Sequence, residues 1–158
     1  MLRFAYTSTA LLLVLFSSIA QADDLAKQMV DYFAGKWEYK RPGGDPIGAV
    51  DWKAVADGKA IAGPGTTKEG ATGYALAGWE PKEKKWLHNW FASDGSFGHL
   101  EVTKFEKDVY YGHHYAVDAH GKVTQGDWQC KVIDRDHFEL TEPSDSQPVI
   151  THWTRIRK

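Results

Sequence analysis

The chain has a single cysteine, Cys130, among its 158 residues. No internal disulfide can form, so the folded part must be held by its core alone. The thiol itself reads as a small buried apolar residue. A dominant charge is missing too, with 19 basic residues against 21 acidic ones. No basic patch or stripe is visible, so nucleic acid and anionic membrane surfaces are not expected partners. Long apolar runs are also absent. The most apolar stretch, residues 10–16 (ALLLVLF), falls well short of the roughly 20 residues that a membrane span requires.

Several catalytic signatures are absent as well. There is no Gly-x-Ser-x-Gly elbow, which argues against acyl-transfer hydrolysis. Gly63-Pro64-Gly65 lacks the strand–loop–helix context of a phosphate cradle. No His-x-His or His-Glu-x-x-His spacing occurs, so no metal ligand set is assigned and no cofactor can be named.

What is present begins with a leader. Arg3 supplies a positive n-region, residues 10–16 an apolar core, and Ala20-Gln21-Ala22 a small-x-small cleavage site. This pattern reads as a signal peptide over residues 1–22, leaving 23–158 as one domain. The expected location is therefore periplasmic or secreted, with no membrane attachment after cleavage.

The domain is rich in aromatics, with seven Trp, seven Tyr and seven Phe. One helix is expected at its start. Asp23 or Asp24 can cap it, Leu25, Met29 and Phe33 share one face, and Gly35 stands where a C′ residue would end it. From Lys36 onward, short alternating runs are separated by turn signals such as Asp57-Gly58, Asp94-Gly95, Lys107-Asp108 and His120-Gly121. Ten strands follow from that punctuation, with 41–48 and 63–70 as loops. The predicted fold class is all-β, an antiparallel meander closed into a barrel of eight to ten strands, since closure removes exposed edges.

Gly35-Lys36-Trp37 after a short helix resembles the Gly-x-Trp start of lipocalin-like, or calycin, barrels. Asp57-Gly58-Lys59, Gly73-Tyr74, Gly78-Trp79-Glu80-Pro81 and Ser93-Asp94-Gly95 are similar to motifs of bacterial exported lipocalin-like domain families. The resemblance implies that a basic residue of the last strand packs over Trp37. Arg155 is the first choice and Arg157 the second. It implies no particular reaction.

The hairpin from Lys85 to Phe105 carries the site expectation. With Asp94-Gly95 as a two-residue turn, His88 would face Glu101 and Trp90 would face His99. One face then holds Trp86, His88, Trp90, Phe97, His99 and Glu101, and the other Leu87, Asn89, Phe91, Leu100 and Val102. Either face can be the inner one. A two-residue turn at Lys107-Asp108 would add Tyr110, Gly112 and His114 to the first face, and a three-residue loop would add Tyr111, His113 and Tyr115. The expected ligand-binding set is Trp86, His88, Trp90, His99, Glu101, Tyr110 and His114, for a small, partly apolar molecule.

Two other readings stand beside that one. An isomerase, lyase or hydrolase could use a His88–Glu101 pair, or a metal held there. Alternatively, the barrel could be filled by its own side chains and serve structure or interaction. An apolar outer face on the 85–105 hairpin would imply a homodimer.

Overall fold

The computed structural model describes residues 25–157. The leader and the caps expected from Asp23 and Asp24 lie outside them. Helix α1 covers residues 25–33. Ten strands follow: β1 (Gly35–Lys40), β2 (Pro46–Val55), β3 (Ala60–Thr67), β4 (Thr72–Glu80), β5 (Lys85–Ala92), β6 (Phe97–Glu106), β7 (Val109–Val117), β8 (Val123–Asp134), β9 (His137–Glu142) and β10 (Val149–Arg155). Each strand pairs antiparallel with its neighbour in sequence, and β1 pairs with β10 to close the barrel. The meander, the closure and the single short helix are those expected from the turn punctuation.

Two expected loops are partly strand. β2 begins at Pro46, and β3 runs through Gly63-Pro64-Gly65 to Thr67. Gly and Pro usually punctuate, but a ladder needs backbone partners more than side chains. Here Val50 opposes Gly65 and Pro64 opposes Tyr74, so neighbours on both sides hold the segment extended.

Alternation along each strand sends one set of side chains inward. Trp37, Trp52, Ile61, Trp86, Val102, Cys130 and Phe138 are buried there. α1 plugs one end with Met29, Val30 and Phe33, also buried. Each large apolar side chain taken from water contributes about 2 kcal/mol, and three from one short helix secure it without much help from propensity.

The seam between β1 and β10 carries the most concentrated interaction. The Arg155 guanidinium lies 4.1 Å from the Trp37 ring centroid, as the resemblance implied. It also donates to the carbonyls of Tyr32 and Ala34 at the C-terminal end of α1. Its Nε sits 3.4 Å from the Asp136 carboxylate. At the edge of the same ring system, Trp37 Nε1 donates to the Phe33 carbonyl at 2.8 Å.

Gly35 stands just past the end of α1, as expected, at a φ of +145° that L side chains rarely adopt. The last helical bond runs from Ala34 N to Val30 O, and Gly35 already begins β1. A Cβ there would meet the Arg155 guanidinium at 2.3 Å, so glycine makes room for the stack.

Replacing Arg155 by Ala should lower unfolding stability by about 2–4 kcal/mol, from the lost stack and the lost charge-assisted hydrogen bonds. Lys should recover less than half of that, because it lacks the planar fork. Urea denaturation followed by Trp emission measures this. A change within about 0.5 kcal/mol, the range of ordinary surface substitutions, would contradict the assignment.

Candidate functional site

Between the helix plug and the opposite end lies a cavity of about 340 Å³. Met29 and Phe33 of α1 help form its floor, and Thr66, Thr67, Ala71, Asp94 and Ser96 line its far end. Trp52, Trp86, Trp90, Trp128, Trp153 and Tyr39 are among the large aromatics of the wall. The size lies within the range of small-molecule pockets.

β5 sends Trp86, His88 and Trp90 inward together, and all three line the cavity. Their partners on β6 are not those expected. The turn is one residue longer: Ala92 N donates to Ser96 O, and Gly95 N donates to Ala92 O. Gly95 takes φ of +87°, the left-handed residue that completes a three-residue loop. Asp94 stabilises this loop by accepting from the Ser96 amide at 2.9 Å and its hydroxyl at 2.7 Å.

The extra residue moves the pairing by one. Trp86 opposes Val102, His88 opposes Leu100, and Trp90 opposes Gly98. Leu100 and Val102 are therefore inside, and Phe97, His99 and Glu101 are outside. The expected His88–Glu101 and Trp90–His99 pairs do not form.

His99 and Glu101 belong to an outer network instead. His99 Nδ1 lies 2.8 Å from Asn89 Oδ1, its Nε2 lies 3.3 Å from Glu101 Oε1, and Lys85 donates to Glu101 Oε2 at 3.0 Å. The hydrogen bond from Lys85, then that with His99, hold the Glu101 carboxyl below its ordinary pKa. Phe91 and Phe97 stack at 6.0 Å on the same outer face, beside exposed Tyr74. An apolar outer strip on this hairpin is thus present.

On β7, Tyr110, Gly112 and His114 face inward. Lys107-Asp108 is the two-residue turn, with both residues at positive φ. A bulge between Val102 and Lys104 then shifts the register, so His114 opposes Leu100 and not Glu101. Tyr110 packs at the helix end, with its ring 5.8 Å from Phe33. His114 is buried under Trp90, the two rings parallel at 5.7 Å. Trp90 can lie there because Gly98 is opposite: a Cβ at Gly98 would fall 1.9 Å from the indole.

Three interior residues were not singled out from the sequence. Trp52 meets His88 edge-on, with centroids 5.6 Å apart, and stacks with Trp153 at 5.8 Å. Glu142 follows Phe138 and Leu140 in the inward phase of β9, where a third apolar residue would ordinarily stand. That phase was the available signal.

The interior is short of hydrogen-bond partners. Trp52 Nε1, His88 Nε2, His114 Nδ1 and Trp128 Nε1 are buried without any. Such atoms cost about 1–3 kcal/mol each unless something satisfies them. Desolvation by burial, reinforced by His99, lowers the His88 pKa from 6.5 to about 4. Burial lowers that of His114 and raises that of Glu142.

His88 and Glu142 are surrounded by protein yet keep some accessible surface. We attribute that surface to the cavity wall. The interior His–carboxylate pair is His114–Glu142, at 3.9 Å from Nε2 to Oε1, too long for a direct hydrogen bond. Burial also pushes the Cys130 thiol far up, so it is no nucleophile at neutral pH. Among the described residues, no three His, Cys, Asp or Glu side chains are grouped to hold a metal ion.

The buried His88 has a thermodynamic consequence. Its folded pKa lies below its ordinary 6.5, so on acidification the unfolded chain takes up the proton first. Stability should fall as pH drops from about 6.5 towards 4, and His88→Gln should remove up to about 3 kcal/mol of that fall. Urea midpoints measured across this window for both proteins test it. Parallel pH profiles would contradict it.

Compared with family models and with curated proteins, the chain matches none, so its function has to be read from the site itself.

Proposed function

We propose that the protein is an exported, lipocalin-like binding protein that carries a small, partly apolar molecule inside its barrel. The observation that carries this reading is the aromatic-walled cavity of about 340 Å³ between the helix plug and the far turns. A barrel filled by its own side chains would not leave such a space. Indole and phenol faces provide the apolar contact, and His88 with Glu142 provides the few polar groups that orient a ligand.

Trp86, His88 and Trp90 are the proposed ligand contacts on β5, and Trp52 and Trp153 face them from β2 and β10. His114 supports Trp90 from beneath. Tyr110 serves the core. His99 and Glu101 have no direct part in this reading, because they lie outside the wall. The lipocalin-like identity is supported by the helix leading into Gly35-x-Trp37 and by Arg155 over Trp37. Export is supported by the leader pattern of residues 1–22.

The neutral probe 1-naphthalenemethanol should bind one molecule per chain by titration calorimetry. Ala75 lines the cavity beside Trp90, its partner across the β4–β5 ladder. Ala75→Trp should place an indole in that space and weaken binding by at least ~10-fold with the β circular dichroism retained, since the added ring and the naphthalene would compete for the same part of the cavity. Unchanged affinity in a folded Ala75→Trp protein would show that the probe binds elsewhere.

A further inference from the structure

The cavity wall has a one-sided charge. Glu142 and Asp94 line it, and no Lys or Arg does. Asp94 is already engaged, with Oδ1 accepting from both the amide and the hydroxyl of Ser96 at the far end. Glu142 is not. Among the described residues, the only basic nitrogen within 4.0 Å of its carboxylate is His114 Nε2 at 3.9 Å. Burial holds that imidazole neutral at physiological pH. Tyr39 from β1 is close enough to Glu142 for the two to interact electrostatically, and its phenol cannot supply a positive charge.

A carboxylate in this position is costly. Burial raises its pKa, which expresses the same cost. Alternation after Phe138 and Leu140 would allow an apolar residue at no such penalty. The rings around the cavity have the complementary property. Tyr39 stacks on Trp153 at 4.4 Å, Trp153 on Trp52 at 5.8 Å, and Trp90 lines the opposite wall. Aromatic faces attract cations, most strongly when water is excluded.

We propose that the cavity selects an organic cation: an ammonium group on an aromatic or branched apolar body, with its charge held at Glu142 between aromatic faces. This rests on the reading of the cavity as a ligand site and narrows it to a ligand class. An ammonium supplies the counter-charge that the wall lacks. A neutral molecule of the same shape gains only the apolar contact. An anion meets an unpaired carboxylate and no base.

Three probes with one apolar body separate these cases: 1-naphthylmethylammonium, 1-naphthalenemethanol and 1-naphthoate. Titration calorimetry on the mature chain at neutral pH should rank the ammonium at least ~10-fold tighter than the alcohol, with 1-naphthoate weakest. Glu142→Gln should erase the advantage of the ammonium over the alcohol, with the β circular dichroism retained to show that the variant is folded.

An alcohol that binds as tightly as the ammonium would overturn the cation proposal while leaving the cavity reading intact. So would an ammonium preference that survives Glu142→Gln. Failure of all three probes to bind would remove the cavity reading and the proposal with it.

Discussion

The Arg155 guanidinium on the Trp37 indole is the contact on which the rest of the barrel depends. It joins the last strand to the first at the closing seam. Its remaining N–H groups take two carbonyls at the end of α1, and its charge faces Asp136 at the start of β9. Three parts of the chain far apart in sequence are thereby tied at one point. With one cysteine and no disulfide, the protein has no covalent substitute for this tie. Closure leaves no free sheet edge, and the tethered helix brings Met29 and Phe33 under the barrel as the cavity floor.

Above that floor the interior departs from a simple apolar core. Two histidines, a glutamate and two indole N–H groups occupy inward positions where the alternation would accept aliphatic residues. Burial works against charge on all three ionisable groups, and each unpartnered atom weakens the fold. Polar groups retained at such cost are ordinarily explained by what they contact in function. The outer face of the same strands shows the contrast. His99, Glu101, Lys85 and Asn89 satisfy one another and carry no comparable burden.

Much of this could be read from the chain. The turn residues defined ten strands because each turn type needs its own Gly, Asn or Asp. The Gly-x-Trp start and the terminal Trp-Thr-Arg pointed to the seam. That Trp86, His88 and Trp90 share one face of β5 followed from period-two alternation, but alternation left open whether that face was the inner one. What did not follow was how β5 and β6 fit together. A two-residue and a three-residue turn at Asp94-Gly95 look alike in sequence, yet one residue of slip reverses every side chain on the partner strand. That single residue moved His99 and Glu101 to the outside and brought Leu100 and Val102 in. The bulge after Val102 had no marker at all and reset the register again for β7. Glu142 was legible in principle, in phase with Phe138 and Leu140, but its value depends on strands β1 and β7 that meet it only in three dimensions.

The claim at the centre is that the barrel interior, not its outer aromatic strip, is where a small molecule sits. Intermolecular nuclear Overhauser effects with 1-naphthalenemethanol bound test this most directly. Contacts are expected from the naphthalene protons to the ring protons of Trp52, His88 and Trp90. Contacts confined to Phe97 and Tyr115 on the outer face would contradict it.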